Sequence, residues 1–205
     1  AGAFAAVSAG ANAIIMDDGF QNPSLYKDLS ILVIDGEYGF GNQRVLPAGP
    51  LRETVNDGLA RADVIVIIGS DKTGLRNDLP NHLPVLTAHL VAGSEKLRLA
   101  GQRVIAFSGI GNPTNFFDLL RENNLNLIHT FSFPDHHHYS ILDTEMLAGS
   151  LMEKEGKNKI LLTTEKDYFR FSDNSLINKL SIQYLKIELE IENKNNFIEL
   201  IKKNI

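Results

Sequence analysis

The chain has 205 residues, of which 43% are apolar and none is cysteine, with 20 Lys and Arg against 25 Asp and Glu. This length and composition suffice for one or two globular domains, and the lack of cysteine excludes disulfide scaffolds and thiolate metal sites. The net charge of −5 argues against a nucleic-acid partner, because binding phosphates requires concentrated basic residues.

Short apolar runs rich in β-branched residues alternate with helical patterns, which predicts an α/β fold. Runs such as Val64–Ile68 are continuously apolar, as strands covered by helices on both faces are, so the sheets are expected to be mostly parallel. The predicted strands are Ala13–Met16, Ser30–Ile34, Asp63–Ile68, Val104–Phe107, Leu125–Phe131, Lys159–Thr163 and Ile182–Ile187. The predicted helices are Thr54–Arg61, Pro113–Asn123, Asp143–Glu155 and Asn195–Lys203.

The pattern changes between Leu83 and Arg103, where Pro and Gly interrupt the apolar runs. The segments Val85–Val91 and Leu97–Leu99 are predicted to pair there as a β-hairpin. We interpret this stretch, residues 83–103, as a linker between a first domain at residues 1–82 and a second at residues 104–205.

The first motif that can carry chemistry is the run from Ile14 to Gln21, an apolar strand that ends in Asp17, Asp18 and Gly19. Such a strand end faces the crevice in which α/β proteins bind ligands, and an Asp there can hold magnesium. Adjacent side chains point in different directions, so we expect at most one of the two to bind the metal directly. The alternative is a plain turn, since Asp and Gly favour turns.

A long loop, Gly39–Glu53, forms the second motif. Loops of this length inside a compact domain are more often functional than idle. Arg44 and Arg52 can bind phosphate or sugar oxygens, and Glu53 can bind a metal ion or a sugar hydroxyl. The alternative is a surface loop in which Arg52 and Glu53 simply begin the next helix.

Two further motifs follow predicted strands. Phe107–Pro113 has glycines that allow close approach to an anion, but it lacks the dinucleotide fingerprint and the P-loop lysine, which favours a structural turn. In Thr163–Asp167, Lys166 can contact a phosphate. Capping of the next helix by Thr163 or Thr164 is sufficient by itself to account for this motif, and the sequence favours this interpretation.

Three consecutive histidines lie within Phe133–Ser140, directly after Asp135. Histidine titrates near neutrality and serves as acid, base or metal ligand. On an extended segment, His136 and His138 share one face and His137 lies on the other. The alternative is one ordered histidine and two that face solvent.

Taken in this order, the motifs resemble the tetraacyldisaccharide 4'-kinase family. The resemblance covers Ala1 to about Asp167, and the run Leu46–Glu53 is its most specific part. It implies a P-loop kinase fold of two α/β/α subdomains joined by a two-stranded linker, with the first subdomain incomplete in this chain. The matching runs are Asp17–Gln21, Gly41–Asn42, Leu46–Glu53, Phe107–Pro113, Phe133–His137 and Thr163–Asp167.

The resemblance implies transfer of the γ-phosphate of ATP, with Mg²⁺, to the 4'-hydroxyl of a tetraacylated glucosamine disaccharide 1-phosphate in lipid A biosynthesis. It implies a cytoplasmic protein, peripheral to the cytoplasmic face of the inner membrane of a Gram-negative bacterium. The implied partner is the lipid disaccharide, and no nucleic acid is expected.

The same resemblance assigns roles to residues of this sequence. It implies that Asp17 and Asp18 hold the metal, with Asp18 also catalytic, and that Lys166 binds phosphate. A histidine after Asp135 would work with an aspartate to activate the sugar hydroxyl, and the choice between His136 and His137 stays open. The implied catalytic residues are Asp18, Asp135, His136 and His137, and the implied substrate-binding residues are Gln21, Asn42, Arg52 and Glu53.

The family begins with a membrane-associating segment and a P-loop containing Gly-Lys-Thr, and the sequence shows neither after its start at Ala1. We therefore expect the chain to correspond to the later part of the family enzyme, to bind ATP poorly and to show little kinase activity alone. A separate amino-terminal P-loop fragment is a candidate partner.

Two other functions are weighed beside this one. Asp135-His136-His137 echoes the Asp-His-His motif of metal-dependent phosphohydrolases, in which Asp17 and Asp18 would be further ligands of manganese. The second is an inactive fragment or an assembly partner without catalytic activity.

Overall fold

The computed structural model describes residues 2–94, 96–152, 159–171 and 174–204. The chain divides into two compact units, the first formed by Ala1–His89 with Glu190–Ile205 and the second by Leu90–Leu189. In chain order the elements are α1 (Gly2–Ser8), β1 (Ile31–Asp35), α2 (Val55–Arg61), β2 (Val64–Ile68), a short 3₁₀ helix (Leu75–Asp78), β3 (Val85–Ala92), α3 (Lys96–Leu99), β4 (Arg103–Ser108), α4 (Pro113–Glu122), β5 (Asn126–Ser132), α5 (Ile141–Met152), β6 (Lys159–Thr164), α6 (Glu165–Tyr168), α7 (Asn174–Leu180), β7 (Gln183–Leu185), β8 (Ile187–Ile191) and α8 (Lys194–Asn204).

The first sheet has the strand order β1-β2-β3-β8, in which β1 pairs with β2 and β2 with β3 in parallel. The continuously apolar β2 is buried on both faces, as expected. Ile65 and Ile67 pack with Leu59 of α2, whereas Val64 and Val66 pack beside apolar side chains of α8. The predicted α/β fold with parallel sheets is confirmed.

The second sheet has the order β5-β4-β6-β7, and all of its pairs are parallel. In β4, Val104 and Ala106 pack against α4, whereas Ile105 and Phe107 pack against α5. Helices therefore cover both faces of this sheet as well. Because β4 and β6 are parallel neighbours, the two motifs that follow them meet at one edge of the sheet.

The helix boundaries follow local capping. Thr54 Oγ1 accepts a hydrogen bond from Asp57 N at 3.2 Å at the start of α2, and Thr164 Oγ1 accepts one from Asp167 N at 3.1 Å at the start of α6. Pro113 opens α4, where its missing N–H leaves no hydrogen bond unmade. The predicted helices at Thr54–Arg61, Pro113–Asn123 and Asn195–Lys203 are confirmed, and the one at Asp143–Glu155 is present as α5, while residues 153–155 lie outside the described residues.

The predicted strand at Ala13–Met16 is wrong. These residues form irregular backbone, and the side chain of Ile15 is 96% exposed. In the part of the chain that the structure describes, no strand pairs with this segment. An apolar run without a hydrogen-bonding neighbour does not form a stable strand, whatever its composition.

The predicted hairpin between Val85–Val91 and Leu97–Leu99 is also wrong. The first segment is β3, which pairs in parallel with β2, and the second lies in the helix α3. Leu99 is only 2% exposed and packs in the core of the second unit. Burial of this leucine among α4 side chains replaces the strand pairing that the sequence pattern indicated.

The strand predicted at Ile182–Ile187 divides into β7 and β8, which belong to different sheets. In β8 the chain returns to the first sheet, and Glu190–Ile205 joins the first unit. The sequence-based boundary placed these residues in the second domain. Two strands, β3 and β8, thus cross between the units, in place of the predicted hairpin within residues 83–103.

Among the described residues, none of the helices has the length and apolar character needed to cross a membrane.

Candidate functional site

Two contacts in the first unit tie the Asp17–Gln21 motif to the end of the long loop. Arg52 Nη1 donates hydrogen bonds to both carboxylate oxygens of Asp18, at 3.1 and 3.2 Å. Gln21 Nε2 donates to Glu53 Oε1 at 3.0 Å. Motifs more than 30 residues apart in sequence are thus adjacent.

Arg61 of α2 completes this arrangement, and the sequence interpretation missed it. Its Nη2 donates to both oxygens of Glu53, at 2.6 and 2.7 Å, and its guanidinium carbon lies 5.3 Å from the centre of the Phe20 ring. Arg61 lies on α2, which begins directly after the loop. Its position two turns after Glu53 is the feature of the sequence that indicates a contact between the two side chains.

Asn42 closes the long loop on itself. Its Nδ2 donates to Ala48 O at 2.9 Å, and its Oδ1 accepts from Arg44 N at 3.1 Å. Gly49 packs so tightly against Asn42 Oδ1 and Arg44 O that a Cβ atom there would collide with both. The amide of Asn42 therefore shapes the loop, and its role in substrate binding stays a prediction.

The acidic pair Asp17 and Asp18 is exposed and supplies two carboxylates. Mg²⁺ is commonly held by one or two carboxylates, with phosphates and water completing an octahedron. Within the described ranges, no group of three or more His, Asp or Glu side chains is arranged to hold a metal. Two carboxylates match the donors that Mg²⁺ commonly takes from a protein, and both oxygens of Asp18 accept hydrogen bonds from Arg52 in this structure.

The second unit is organised around Asp167, whose side chain is fully buried. Its Oδ2 accepts hydrogen bonds from Ser108 Oγ at 2.9 Å, from Gly109 N at 3.1 Å and from Thr164 Oγ1 at 2.7 Å. Its Oδ1 accepts from Arg170 Nη1 at 3.1 Å. A buried carboxylate is tolerated only with such a set of donors, so Asp167 joins the motifs that follow β4 and β6.

We call Asp167 and its four donors the hub of the second unit. His136 contacts two of these donors, Gly109 and Arg170, and has a left-handed backbone conformation, with φ of 56°. Its backbone N donates to Gly109 O at 3.1 Å and to Asp135 Oδ1 at 2.9 Å. Its side chain is 81% exposed, and its Nδ1 lies 3.2 Å from Arg170 Nη2. Arg170 thus orients the ring through Nδ1, while most of the ring faces solvent.

His137 points inward instead. Its Nε2 lies 3.0 Å from Asp143 Oδ2, and its ring stacks on Phe133 at 4.8 Å and meets the Tyr139 ring edge-on at 5.1 Å. The sequence interpretation missed Asp143, although Ser140 lies three residues before it, a spacing typical of a helix start. The third histidine, His138, is exposed.

The surroundings of Asp143 favour its charged form. Burial raises the pKa of its carboxyl, but this effect is outweighed by hydrogen bonds from Ser140 Oγ and Ser140 N, each 2.7 Å long, and by His137. The net result is a pKa below the ordinary value. Burial, followed by the charge of Asp167, raises the pKa of Tyr139, which therefore stays neutral at physiological pH.

A family model described as tetraacyldisaccharide-1-P 4'-kinase matches residues 1–205 of the chain. The chain belongs to this family. No solved structure matches it significantly.

Several curated relatives carry the name tetraacyldisaccharide 4'-kinase. The chain is 51% identical over 170 residues to the one from Paramagnetospirillum magneticum, covering 82% of this chain and 51% of that protein. It is 49% identical over 162 residues to the one from Gluconobacter oxydans, covering 79% of this chain and 49% of that protein. For the one from Rhodospirillum rubrum, identity is 47% over 173 residues, covering 82% of this chain and 51% of that protein. The chain thus spans about half the length of the curated relatives it matches.

The residues that the tetraacyldisaccharide 4'-kinase resemblance singled out fall into two groups. In the first unit Asp18 pairs with Arg52, and Gln21 pairs with Glu53. In the second unit Asp135 and His136 are neighbours, with 3.8 Å between Asp135 Oδ2 and His136 Nε2. Lys166 is exposed on α6, next to the hub residue Asp167, and its phosphate contact stays a prediction.

Proposed function

We propose that this chain is the part of a 4'-kinase that orients its two substrates, ATP with Mg²⁺ and a tetraacylated glucosamine disaccharide 1-phosphate, and that it contributes little to ATP affinity by itself. The product is the disaccharide phosphorylated at its 4'-hydroxyl. The observation that carries the proposal is the pairing of Asp18 with Arg52 and of Gln21 with Glu53, which brings the most specific family motif, Leu46–Glu53, together with the motif Asp17–Gln21. Both units follow the α/β pattern that a P-loop-type kinase of two subdomains requires.

In the first unit, Asp17 and Asp18 are the residues that would hold Mg²⁺, which supplies positive charge beside the transferred phosphate. Arg52 presents a guanidinium whose geometry matches phosphate oxygens, and Asp18 orients it when no phosphate is bound. Gln21 and Glu53 place an amide and a carboxylate beside it for hydroxyl groups of the substrates. These side chains bind and position the reactants.

In the second unit, His136 is the histidine that would contact the acceptor, because its ring is exposed. His137 is held by Asp143 and packed among aromatic rings, so it shapes the loop that carries His136. Asp135 fixes the backbone of that loop through its hydrogen bond to His136 N.

The acceptor is a lipid, so we place the enzyme at the cytoplasmic face of the inner membrane, as a peripheral protein. The curated relatives are about twice as long as the matched region, and we expect full activity only when the remaining part is supplied, either as a fused segment or as a separate P-loop fragment. The phosphohydrolase alternative has no observation in its favour, since His136 and His137 face different partners, Arg170 and Asp143.

The test is a phosphate-transfer assay with radiolabelled ATP and tetraacyldisaccharide 1-phosphate. The chain is assayed alone and with the complementary half of the Paramagnetospirillum magneticum relative. We expect transfer only in the mixture. Transfer by neither sample, with a positive control that is active, would contradict the kinase proposal, and hydrolysis of a phosphodiester with manganese would favour the phosphohydrolase.

Arg52→Ala in the active mixture should lower the transfer rate by about 100-fold, because a charged donor to the transferred phosphate is lost. Arg121→Ala is the matched control: Arg121 also forms an exposed ion pair, with Asp118 on α4, at 2.6 Å. An equal effect of both substitutions would show that the Arg52 effect is not specific to the site.

A further inference from the structure

The geometry points to Arg170 as a positioning residue. Held by the buried Asp167, Arg170 fixes the orientation and the tautomer of His136, so that His136 offers Nε2–H to an oxygen of the acceptor as a hydrogen-bond donor. The identity of the acceptor rests on the function proposed above, whereas the state of the imidazole ring rests on the geometry of the second unit alone.

Arg170 is itself rigidly held. Its Nη1 donates to Gly109 O at 2.6 Å and to Asp167 Oδ1 at 3.1 Å, and its side chain is only 20% exposed. Rotation of the guanidinium would leave one oxygen of a buried carboxylate without its donor, which is costly. The other guanidinium nitrogen, Nη2, is thereby directed at the imidazole of His136.

Arginine has only hydrogen-bond donors and stays protonated in proteins. The contact of 3.2 Å between Arg170 Nη2 and His136 Nδ1 therefore requires the lone pair of Nδ1. In the neutral ring the proton must then lie on Nε2. Gly109 O accepts both from His136 N and from Arg170, so one carbonyl fixes the backbone and the positioning side chain together.

This assignment decides what His136 can do. With Nδ1 occupied by Arg170 and Nε2 carrying its proton, the neutral ring has no free lone pair with which to accept the proton of a hydroxyl group. His136 then orients the acceptor by donating to one of its oxygens and does not act as the base that takes up the proton of the hydroxyl group. No proton is transferred to or from the ring.

The first test measures the tautomer directly. The full chain is labelled with ¹⁵N-histidine, and the ring nitrogens are correlated with the ring carbon-bound protons by NMR above pH 8. His136 is assigned from the signal that disappears in His136→Gln. We expect an unprotonated Nδ1 and a protonated Nε2 for His136. The opposite pattern, or rapid averaging between the two tautomers, overturns the inference without any variant of Arg170.

The second test uses Arg170→Met, which keeps the length of the side chain and removes its donors, and Arg170→Lys, which keeps charge and donors. We expect the His136 signals to move toward tautomer averaging in Arg170→Met and to return partly in Arg170→Lys. The signals of His137, which is held by Asp143, serve as the internal control for folding. Unchanged His136 signals in Arg170→Met, with intact His137 signals, contradict the role of Arg170.

In the phosphate-transfer assay, Arg170→Met should lower kcat by roughly 10-fold to 100-fold, as expected for a misplaced group, with the KM for ATP unchanged. Arg170→Lys should recover part of kcat. A rise in the KM for ATP with unchanged kcat would place Arg170 in nucleotide binding and overturn its positioning role. If the tautomer is as expected and no protein transfers phosphate, the proposed function fails while the assignment of the ring stands.

Discussion

Asp167 is the residue on which the second unit's site depends, because it joins four donors from three segments of the chain. For Thr163–Asp167, the sequence predicted a phosphate contact by Lys166 and capping of the next helix by Thr163 or Thr164. Capping by Thr164 is present, but the burial of Asp167 depends on Ser108 and Gly109, nearly 60 residues away. Such a meeting of distant segments has no local signature in one sequence.

Removal of this carboxylate should be strongly destabilising. Asp167→Ala leaves two hydroxyl groups and Gly109 N without their acceptor and removes one of the two oxygens that Arg170 Nη1 contacts, so we expect the free energy of unfolding to fall by about 3 kcal/mol. Urea denaturation followed by circular dichroism measures it. Asp118→Ala, which removes an exposed carboxylate paired with Arg121, should cost less than about 1 kcal/mol. Similar losses for the two variants would argue that Asp167 is not a structural hub.

The pH dependence of stability should report on Asp143. Because its pKa is lower in the folded chain than its ordinary value of 3.8, its contribution to stability is complete above that value and is lost as the pH falls through the folded pKa. In Asp143→Asn this contribution is missing. The Tm difference between wild type and variant should therefore be largest near neutral pH and shrink as the solution is acidified below pH 3.8; a gap independent of pH would contradict this.

At the scale of elements, the long loop Gly39–Glu53 is positioned by its own internal contacts. Asn42 bridges the two arms of the loop, and the backbone at Gly49 approaches them so closely that only glycine fits. The end of the loop, Arg52 and Glu53, reaches Asp18 and Gln21 only if this shape is kept. Loop geometry therefore determines whether the two motifs of the first unit meet.

Gly49→Ala should consequently abolish most phosphate transfer in the complemented mixture, because a Cβ atom at this position collides with Asn42 and Arg44. Gly149→Ala is the matched control: it lies on an exposed face of α5 with open space around it. There the same change should raise the free energy of unfolding by about 0.5 to 1 kcal/mol and leave transfer unchanged. Full activity of Gly49→Ala would show that the loop can relax around the added methyl group.

Strands were predictable wherever burial on both faces leaves a continuous apolar run. Val64–Ile68 is such a run, and the structure makes it the centre of the first sheet's core. The run Ala13–Met16 has a similar composition but no neighbouring strand among the described residues. The segment Leu97–Leu99 is helical, and Leu99 packs in the core between α4 and the second sheet. Pairing partners and tertiary burial, which decide these cases, are not encoded in the local pattern.

For the whole molecule, the order of motifs predicted the family, and the contacts among Asp18, Gln21, Arg52 and Glu53 followed the motifs that carry the resemblance. The residues that support them, Arg61 and Arg170, were not predicted. These arginines hold other side chains in place and belong to no recognisable sequence motif. Their role depends on where the fold places them, so the structure is needed to distinguish them from the other arginines of the chain.

The division of the chain predicts which fragment folds alone. The second unit is continuous, Leu90–Leu189, and contains its own four-stranded sheet with helices on both faces. We expect this fragment to unfold cooperatively and to give a dispersed NMR spectrum. The fragment 104–205 carries α8, whose apolar side chains pack on the first sheet, and should be less soluble. Better behaviour of 104–205 than of 90–189 would contradict the division.

The course of β3 and β8 has one more consequence. Glu192 N donates to Thr87 O, and Gly93 N donates to Lys186 O, so residue numbers rise along one strand as they fall along its neighbour, which makes the pair antiparallel. In topological terms these strands are the stem of a hairpin, and the hundred residues of the second unit take the place of its turn. Residues 89 and 190 lie opposite each other in this stem. A simple two-residue turn between residues 89 and 190 would therefore close this stem in a chain that lacks the second unit.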